Sequence, residues 1–273
     1  MTLNVLALAV GLTAPTAAIA QDASRPPGSD PFWERWKLRV SGYLPTSNTS
    51  LRFDAADGRI GTELDFEDDL GIDERKFLPA FDLSYRFNER HRIEGSYFSI
   101  GRDGTQDLEI DIDFGDTEFS RDTEVDSFFD TDIYRVSYSY SFVNEPNAEF
   151  GFLAGLHLVD VDMGIATAVG NIRREPSLTL PLPVIGLHGG YAFSPRVSLN
   201  GRGQVFALEV GRYSGVLFDL FASLQYDFSP HLGLALGYQL YDANGSVQGE
   251  DVDFEGEMDF VYYGPTLSAI ARF

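Results

Sequence analysis

The sequence lacks cysteine, has few basic residues and, after its first twenty positions, contains no apolar run long enough for a transmembrane helix. Without cysteine, the fold needs no disulfide. Lysine and arginine number 20 against 42 aspartate and glutamate residues, so the formal net charge is −22 at pH 7. A nucleic-acid partner requires a basic surface, and this charge argues against one. Tryptophan occurs only 2 times, whereas phenylalanine occurs 22 times and tyrosine 13 times.

The first twenty residues are typical of a secretory signal peptide. They are uncharged and largely apolar, and they end in Ala-Ile-Ala before Gln21, which predicts cleavage after Ala20. No basic residue follows Met1, so the charged start that such segments usually have is missing. Residues 21–35 are rich in proline and serine and predict an extended lead-in. Residues 36–273 are then expected to form one domain.

The rest of the chain alternates with a period of two residues, which predicts β-strands. In residues 232–240, leucine or tyrosine occupies every even position, while glycine, alanine and glutamine occupy the odd positions. Residues 132–142 alternate in the same way, with aromatic residues and valine opposite Arg135 and serines. These second faces are rich in glycine, serine and alanine rather than in the lysine and glutamate of a solvated surface. The pattern therefore favours a membrane barrel over a soluble β-sandwich, which would also alternate.

Four copies of the pattern Tyr-x-Phe each precede a tight polar turn and another alternating segment. The copies end at Phe87, Phe142, Phe193 and Phe228. Residues two apart in a strand share a face, so each copy places two aromatic rings toward lipid at headgroup depth. A β-propeller would also repeat, but here the connecting segments differ widely in length and no Trp-Asp or Gly-His signature recurs.

The last stretch, Val261–Phe273, alternates in the same way and ends on an aromatic residue. It resembles the closing strand of Gram-negative outer-membrane β-barrels. The resemblance implies an all-β fold, a closed antiparallel transmembrane β-barrel of porin-like architecture in the outer membrane. It also implies that the barrel-assembly machinery reads Phe273 as the insertion signal. Outer-membrane lipids and lipopolysaccharide are then expected partners, and residues 21–35 are expected in the periplasm.

The number of strands follows from the turns. Four turn-linked pairs plus the first and last strands give ten, which is even and brings both termini to the periplasmic side. Eight or twelve strands are the alternatives. Twelve would require residues 107–114 and their neighbours to cross the membrane, whereas their acidic character favours a hairpin above it.

Acidic residues concentrate in three long connections on the side away from the tight turns, at residues 54–74, 103–132 and 242–259. Divalent cations are a candidate partner of these segments. Two of them imitate the start of a calcium loop, at Asp65 and at Asp251. Each lacks the glutamate that such a loop needs at its twelfth position, where Lys76 and Tyr262 stand instead. We therefore expect a solvated anionic surface and assign no metal ligands and no cofactor.

The face opposite the lipid carries charged and histidine side chains, which require ion pairs or water. We expect them to form a polar network inside the barrel: Arg39, Asp82, Arg86, Arg92, Glu94, Arg135, His157, His188, Arg202, Asp219 and Arg272. A ten-stranded ring is only slightly wider than an eight-stranded ring, whose side chains nearly fill it. A largely filled lumen is thus favoured over a narrow polar pore.

The sequence leaves three functions open. A structural or surface-interaction barrel with acidic extracellular loops comes first, because no catalytic motif is visible. A narrow channel or transporter for small solutes is the alternative. A lipid-modifying outer-membrane enzyme comes third, since it would need His157 or His188 beside a serine and an acid near the outer leaflet. The protein is therefore not expected to be an enzyme.

Overall fold

The structure is a computed structural model that describes residues 32, 34–54, 62–72, 77–114, 117–167, 173–174, 177–210, 213–247 and 255–273. The expected signal peptide and most of the lead-in lie outside the described residues. Every regular element in the described part is a β-strand. None of the described residues belongs to a helix that is long and apolar enough to cross a membrane.

The strands follow one another along the chain with short turns on one side and longer connections on the other. In chain order they are β1 (Trp36–Tyr43), β2 (Thr46–Asp54), β3 (Glu63–Asp65), β4 (Leu78–Asn88), β5 (His91–Asp107), β6 (Ile112–Phe114), β7 (Thr117–Phe119), β8 (Glu124–Glu145), β9 (Ala148–Thr167), β10 (Arg173–Arg174), β11 (Ser177–Ser194), β12 (Val197–Val210), β13 (Tyr213–Asp227), β14 (Leu232–Val247) and β15 (Glu255–Arg272).

Ten antiparallel strands close into a barrel, as the sequence predicts, and β1 and β2 together count as the first of them. Both pair with β15, from Lys37 opposite Arg272 to Asp54 opposite Glu255. The pairing continues past the break at Leu44 and Pro45 because Gly264 faces them. A Cβ atom at Gly264 would lie 2.1 Å from the Leu44 carbonyl oxygen, so a larger residue does not fit at this close approach.

The four Tyr-x-Phe segments precede the tight turns, which confirms the topology that they predict. In two of these turns, side-chain oxygens accept hydrogen bonds from backbone amides. Asn88 Oδ1 accepts hydrogen bonds from the amides of Arg90 and His91, and Ser229 Oγ accepts from those of His231 and Leu232. Asn and Ser favour tight turns because they can make such local bonds.

The strands extend further on the other side than the sequence suggests, and this shortens two of the three predicted acidic loops, at residues 103–132 and 242–259. Strand β5 continues to Asp107 and β8 begins at Glu124, while β14 continues to Val247 and β15 begins at Glu255. The expected hairpin above the membrane is present between β5 and β8. It is the two-stranded sheet of β6 and β7, which shares no ladder hydrogen bonds with the wall but packs Ile112 and Phe119 into the apolar core.

The polarity of the wall inverts along the long strands β8 and β9. In the half near the tight turns, apolar side chains of β8 such as Tyr138 are exposed on the outside, and serines such as Ser139 are buried inside. Further up β8, Asp130 points outward while Phe129 and Ile133 are fully buried inside. The outer apolar belt marks the lipid-facing zone. Above it, the barrel has a water-facing exterior and an apolar core.

Candidate functional site

The barrel interior holds the charged side chains that the alternation assigns to it. The following lie on the inner face of the wall: Arg39, Asp82, Arg86, Arg92, Glu94, Arg135, His157, His188, Arg202, Asp219 and Arg272. The strands position them because residues two apart share a face. Most of them form two neighbouring groups of ion pairs, and Arg102 with Glu67 forms a third group further above the tight turns.

The lowest group lies near the periplasmic turns. Arg86 Nη2 donates to both carboxylate oxygens of Glu149, at 2.9 and 3.0 Å, and Arg92 approaches the same carboxylate at 3.8 Å. Arg272 pairs with Asp227 at 2.9 Å. Because all of these groups lie inside the wall, each charge depends on its partner for stabilisation.

The middle group crosses the lumen. Asp219 is fully buried and accepts hydrogen bonds from Arg135 Nη1 at 2.8 Å and from Gln239 Nε2 at 3.0 Å. Arg202 donates to Glu94 at 3.0 Å and lies 3.7 Å from Asp82. The Arg135–Asp219 and Arg202–Glu94 bonds join strands that are not neighbours in the wall, and they hold the interior in one arrangement.

A cavity of about 70 Å³ lies among the lower and middle groups. Four cationic side chains and three carboxylates line it: Lys37, Arg39, Arg92, Arg202, Asp82, Glu94 and Glu149. This volume holds roughly five to seven water molecules. Phe32 of the lead-in is buried at the periplasmic end, against Gly190 in the cavity lining.

The highest group is a single buried ion pair in the apolar core. The Arg102 guanidinium pairs with Glu67 and donates to Thr49 Oγ1 at 2.6 Å. It also lies over the rings of Phe129 and Tyr262, with 5.3 and 5.7 Å between Cζ and the ring centroids. Glu67 Oε2 in turn accepts a hydrogen bond from the Thr49 amide at 2.8 Å.

This ion pair anchors residues 62–72, which include β3 and are hereafter called the inner loop. The sequence predicts a solvated acidic connection here. That expectation is wrong, because the apolar residues of this loop enter the extracellular mouth of the barrel. The buried side chains are Leu64, Phe66, Leu70 and Ile72. The Phe66 ring lies 5.2 Å from that of Phe129, between centroids. Gly104 makes room for the loop, since a Cβ atom there would lie 2.5 Å from the Gly71 carbonyl oxygen.

The carboxylates that imitate a calcium loop have other partners. Asp65 Oδ1 accepts hydrogen bonds from the amides of Glu67 and Asp68, and Asp69 Oδ2 accepts from the amide of Asp65. Among the described residues, no group of three or more acidic or histidine side chains has an arrangement that could hold a metal ion. The similar segment at Asp251 lies outside the described residues.

Neither inner histidine is placed for nucleophilic catalysis. His157 is fully buried and contacts the Tyr241 hydroxyl at 3.4 Å, while His188 contacts Arg92 at 3.4 Å. Within the described part of the chain, neither ring has a serine hydroxyl among its hydrogen-bond partners. A serine dyad would need that contact.

The outer surface above the belt is acidic. Asp130 of β8 lies directly opposite Asp162 of β9, and Asp132 lies opposite Asp160. On β15, burial first and then the charges of Glu257, Asp242 and Glu63 raise the pKa of Asp259 above its ordinary value. Opposed like charges are unfavourable in a sheet. We refer to the two opposed pairs of β8 and β9 as the acidic band.

Sequence reasoning missed several members of the interior network. Glu149 and Asp227 share a face with residues that were assigned inward, so continuing the alternation into the turn ends would have found them. Arg102 lies on the same even-numbered face of β5 as Arg92 and Glu94, so the same alternation would have found it. Glu67, outside the barrel strands, has no such signal. Their contact depends on the inner loop entering the barrel, and alternation within a strand does not predict the path of a loop.

Comparison with solved structures places this fold among outer-membrane barrels. The outer-membrane protease OmpT from Escherichia coli is similar, with 12% identity, coverage of 87% of this chain and 97% of that chain, and a TM-score of 0.55. Ail, the attachment invasion locus protein of Yersinia pestis, has 12% identity, coverage of 86% and 99%, and a TM-score of 0.34. The Pseudomonas putida toluene transporter TodX has 10% identity, coverage of 91% and 92%, and a TM-score of 0.33. No protein-family model and no curated protein sequence matches.

The closed ten-stranded wall, the apolar outer belt and the likeness to OmpT define the class of this protein. It is a Gram-negative outer-membrane β-barrel, located in the outer membrane. At these identities the likeness concerns the fold alone, and a role has to be argued from the site.

Proposed function

We propose that this protein is a closed barrel with a structural or surface-interaction role, and that its working surface is the acidic extracellular part. The observation that carries the proposal is the inner loop, which packs apolar side chains into the extracellular mouth. An open pore requires continuous water through the barrel. Here the inner loop joins a fully buried cluster that includes Ile133, Val159 and Leu217 from several strands.

The acidic band supports a role in surface interaction. Its opposed aspartates follow the exposed apolar side chains of Tyr134 and Leu158 toward the extracellular end, and opposed like charges cost stability by mutual repulsion. We expect lipopolysaccharide headgroups at this height. Divalent cations between these carboxylates and lipopolysaccharide phosphates would relieve that repulsion. We therefore propose lipopolysaccharide, bridged by divalent cations, as the partner of this band.

Single-channel recording in a planar bilayer tests the closed lumen. The refolded barrel is expected to insert without conducting, and an open porin in the same bilayer serves as the positive control. Insertion is verified independently by protease protection of the strands. Stable openings whose conductance scales with salt would contradict the proposal.

Openings would instead support the alternative, a narrow channel for small solutes. The feature that favours this alternative is the polar cavity in the periplasmic half. In that case Arg135, Arg202 and Asp219, which cross the lumen, would be the residues to test for selectivity.

The surface role has a separate test. Binding to lipopolysaccharide vesicles is measured with and without magnesium for the wild type and for the Asp130→Asn/Asp162→Asn double variant. Magnesium is expected to strengthen binding of the wild type, and the double variant is expected to lose most of that gain. Equal magnesium dependence in both proteins would exclude the acidic band as the contact.

A further inference from the structure

More cationic than anionic side chains line the cavity in the periplasmic half of the barrel. Within the part of the chain that the structure describes, one of the cationic side chains has no carboxylate partner. The three carboxylates of the cavity already have guanidinium partners. Glu149 accepts two hydrogen bonds from Arg86, which lies outside the cavity lining, and Arg202 pairs with both Glu94 and Asp82. Lys37 lies 3.5 Å from Glu34.

Lys37, Arg92 and Arg202 each form an ion pair, whereas no ion pair of Arg39 is found among the described residues. Only 9% of the surface of Arg39 is exposed, and its buried Nε has no hydrogen-bond partner. Within the described residues, its one direct contact with a partner group is the Phe221 ring, 4.9 Å from Cζ to the centroid. The charges of Asp82 and Glu94 attract the Arg39 guanidinium, but the ion pairs of both carboxylates are with Arg202, at 3.7 and 3.0 Å.

An unpaired guanidinium inside a barrel is costly, and stacking on an aromatic ring recovers only part of that cost. The Phe221 ring also carries Arg202, 5.3 Å from Cζ to the centroid, so one ring supports two guanidinium groups at the cavity wall. Fixed, planar guanidinium groups are suited to bidentate binding of oxygen anions.

We propose that this cavity binds one small oxoanion, of the size of phosphate or sulfate, with Arg39 as its principal contact and Lys37, Arg92 and Arg202 around it. The volume of about 70 Å³ is sufficient for an ion of a few heavy atoms. The apolar core and the inner loop lie between the cavity and the extracellular side, so the anion enters from the periplasmic side, where Phe32 lies. This site is independent of the surface role proposed above.

The test measures thermal stabilisation of the refolded, full-length barrel in a zwitterionic detergent while inorganic phosphate is titrated at constant ionic strength against chloride. Constant ionic strength removes general screening effects. The wild type is expected to show saturable stabilisation by phosphate and by sulfate. Stabilisation by phosphate that does not saturate, or that chloride reproduces, would overturn the proposal.

Two matched variants assign the effect to the cavity. Arg39→Gln is expected to weaken phosphate binding at least tenfold, and without phosphate it should melt at the same temperature as the wild type or higher, because an unpaired buried charge is gone. Arg121→Gln removes the same charge from an exposed side chain and should bind like the wild type. Phosphate affinity in Arg39→Gln equal to that of the wild type would refute the assignment.

A second variant and a larger anion complete the test. If Arg39→Gln does not refold, Lys37→Gln replaces it, with severalfold weaker binding as support and unchanged binding as refutation. Inositol hexakisphosphate is too large for the cavity and should neither stabilise the protein nor compete with phosphate. Competition by this anion would place phosphate on the outer surface and overturn the proposal.

Discussion

Asp219 illustrates how the interior depends on single residues. It lies on β13, is fully buried, and takes its hydrogen bonds from Arg135 on β8 and Gln239 on β14. Its second cationic neighbour is Arg202, whose Nε lies 3.9 Å from the carboxylate. Removal of this carboxylate would leave Arg135 buried without its carboxylate partner.

Replacement of Asp219 by alanine is therefore expected to lower the free energy of unfolding by about 3–5 kcal/mol. Urea titration of the barrel refolded in phospholipid bilayers measures this change. Glu209→Ala, which removes an exposed carboxylate from β12, is the control and should stay within about 0.5 kcal/mol of the wild type. A loss of less than about 1 kcal/mol for Asp219→Ala would show that the interior pairs do not depend on this residue.

In the acidic band, removal of a carboxylate is expected to stabilise the protein rather than to destabilise it. Asp162→Asn removes one of two carboxylates that face each other across β8 and β9, so it is expected to raise the free energy of unfolding by about 0.2–1 kcal/mol at low salt. The gain should shrink at high salt because exposed charges are screened. Glu209→Gln, whose register partner is Ser214, should give no such gain. Equal gains in both variants would point to net charge rather than to the opposed pair.

At the scale of elements, the inner loop decides whether the barrel is open. Its backbone is fixed as well as its side chains. Phe66 donates its amide to the Thr49 carbonyl at 3.0 Å, and Ser127 Oγ donates to the Leu70 carbonyl at 3.2 Å. Together with the Arg102–Glu67 pair, these contacts make the loop part of the core rather than a mobile cover.

Arg102→Met is expected to destabilise the protein by about 3–5 kcal/mol, because Glu67 would remain buried without its partner. The double variant with Glu67→Gln should recover part of the loss. Urea unfolding of the two single variants and the double variant gives the coupling energy. Arg121→Met, at an exposed site, is the control. If the single and double variants lose equally, the ion pair does not hold the loop.

At the scale of the whole molecule, the last residue closes the ring. The Phe273 carbonyl accepts hydrogen bonds from the amides of Arg35 and Trp36, at 3.0 and 2.9 Å, and its own amide donates to the Trp36 carbonyl. The closure uses backbone groups, and 70% of the surface of Phe273 remains exposed. A substitution of this side chain can therefore test its role in assembly in cells while changing the stability of the folded barrel little.

Phe273→Ala is expected to cost the refolded barrel only about 1–2 kcal/mol, since an apolar surface contact is lost, but to reduce insertion in cells severalfold. Phe228→Ala, another exposed lipid-facing aromatic on the turn side, is the matched control for the lost contact. Outer-membrane yield and urea stability are measured for both variants. Equal insertion of the two variants would rule out a special role for the terminal residue in assembly.

The sequence predicted the wall because its cause is local. A strand in a barrel has lipid on one side and the interior on the other, so apolar and polar residues alternate within each strand. Asparagine and serine indicate the turns. The pattern stopped being readable at Asp132, where acidic residues take the outward positions of β8 and apolar residues take the inward ones. The period continues there, but the solvent outside changes from lipid to water, so the apolar face changes sides.

The pairing inside the barrel was decided by the tertiary structure alone. Arg135 and Asp219 are 84 residues apart, and Arg202 and Glu94 are 108 apart. Alternation predicts that each of these side chains points inward. It does not predict which strand lies across the lumen, or which residue of that strand lies at the same height along the barrel axis. That depends on how the ring closes and on the stagger of its strands. The inner loop and the unpaired Arg39 arise in the same way, because both depend on the shape of an interior that exists only once the barrel has closed.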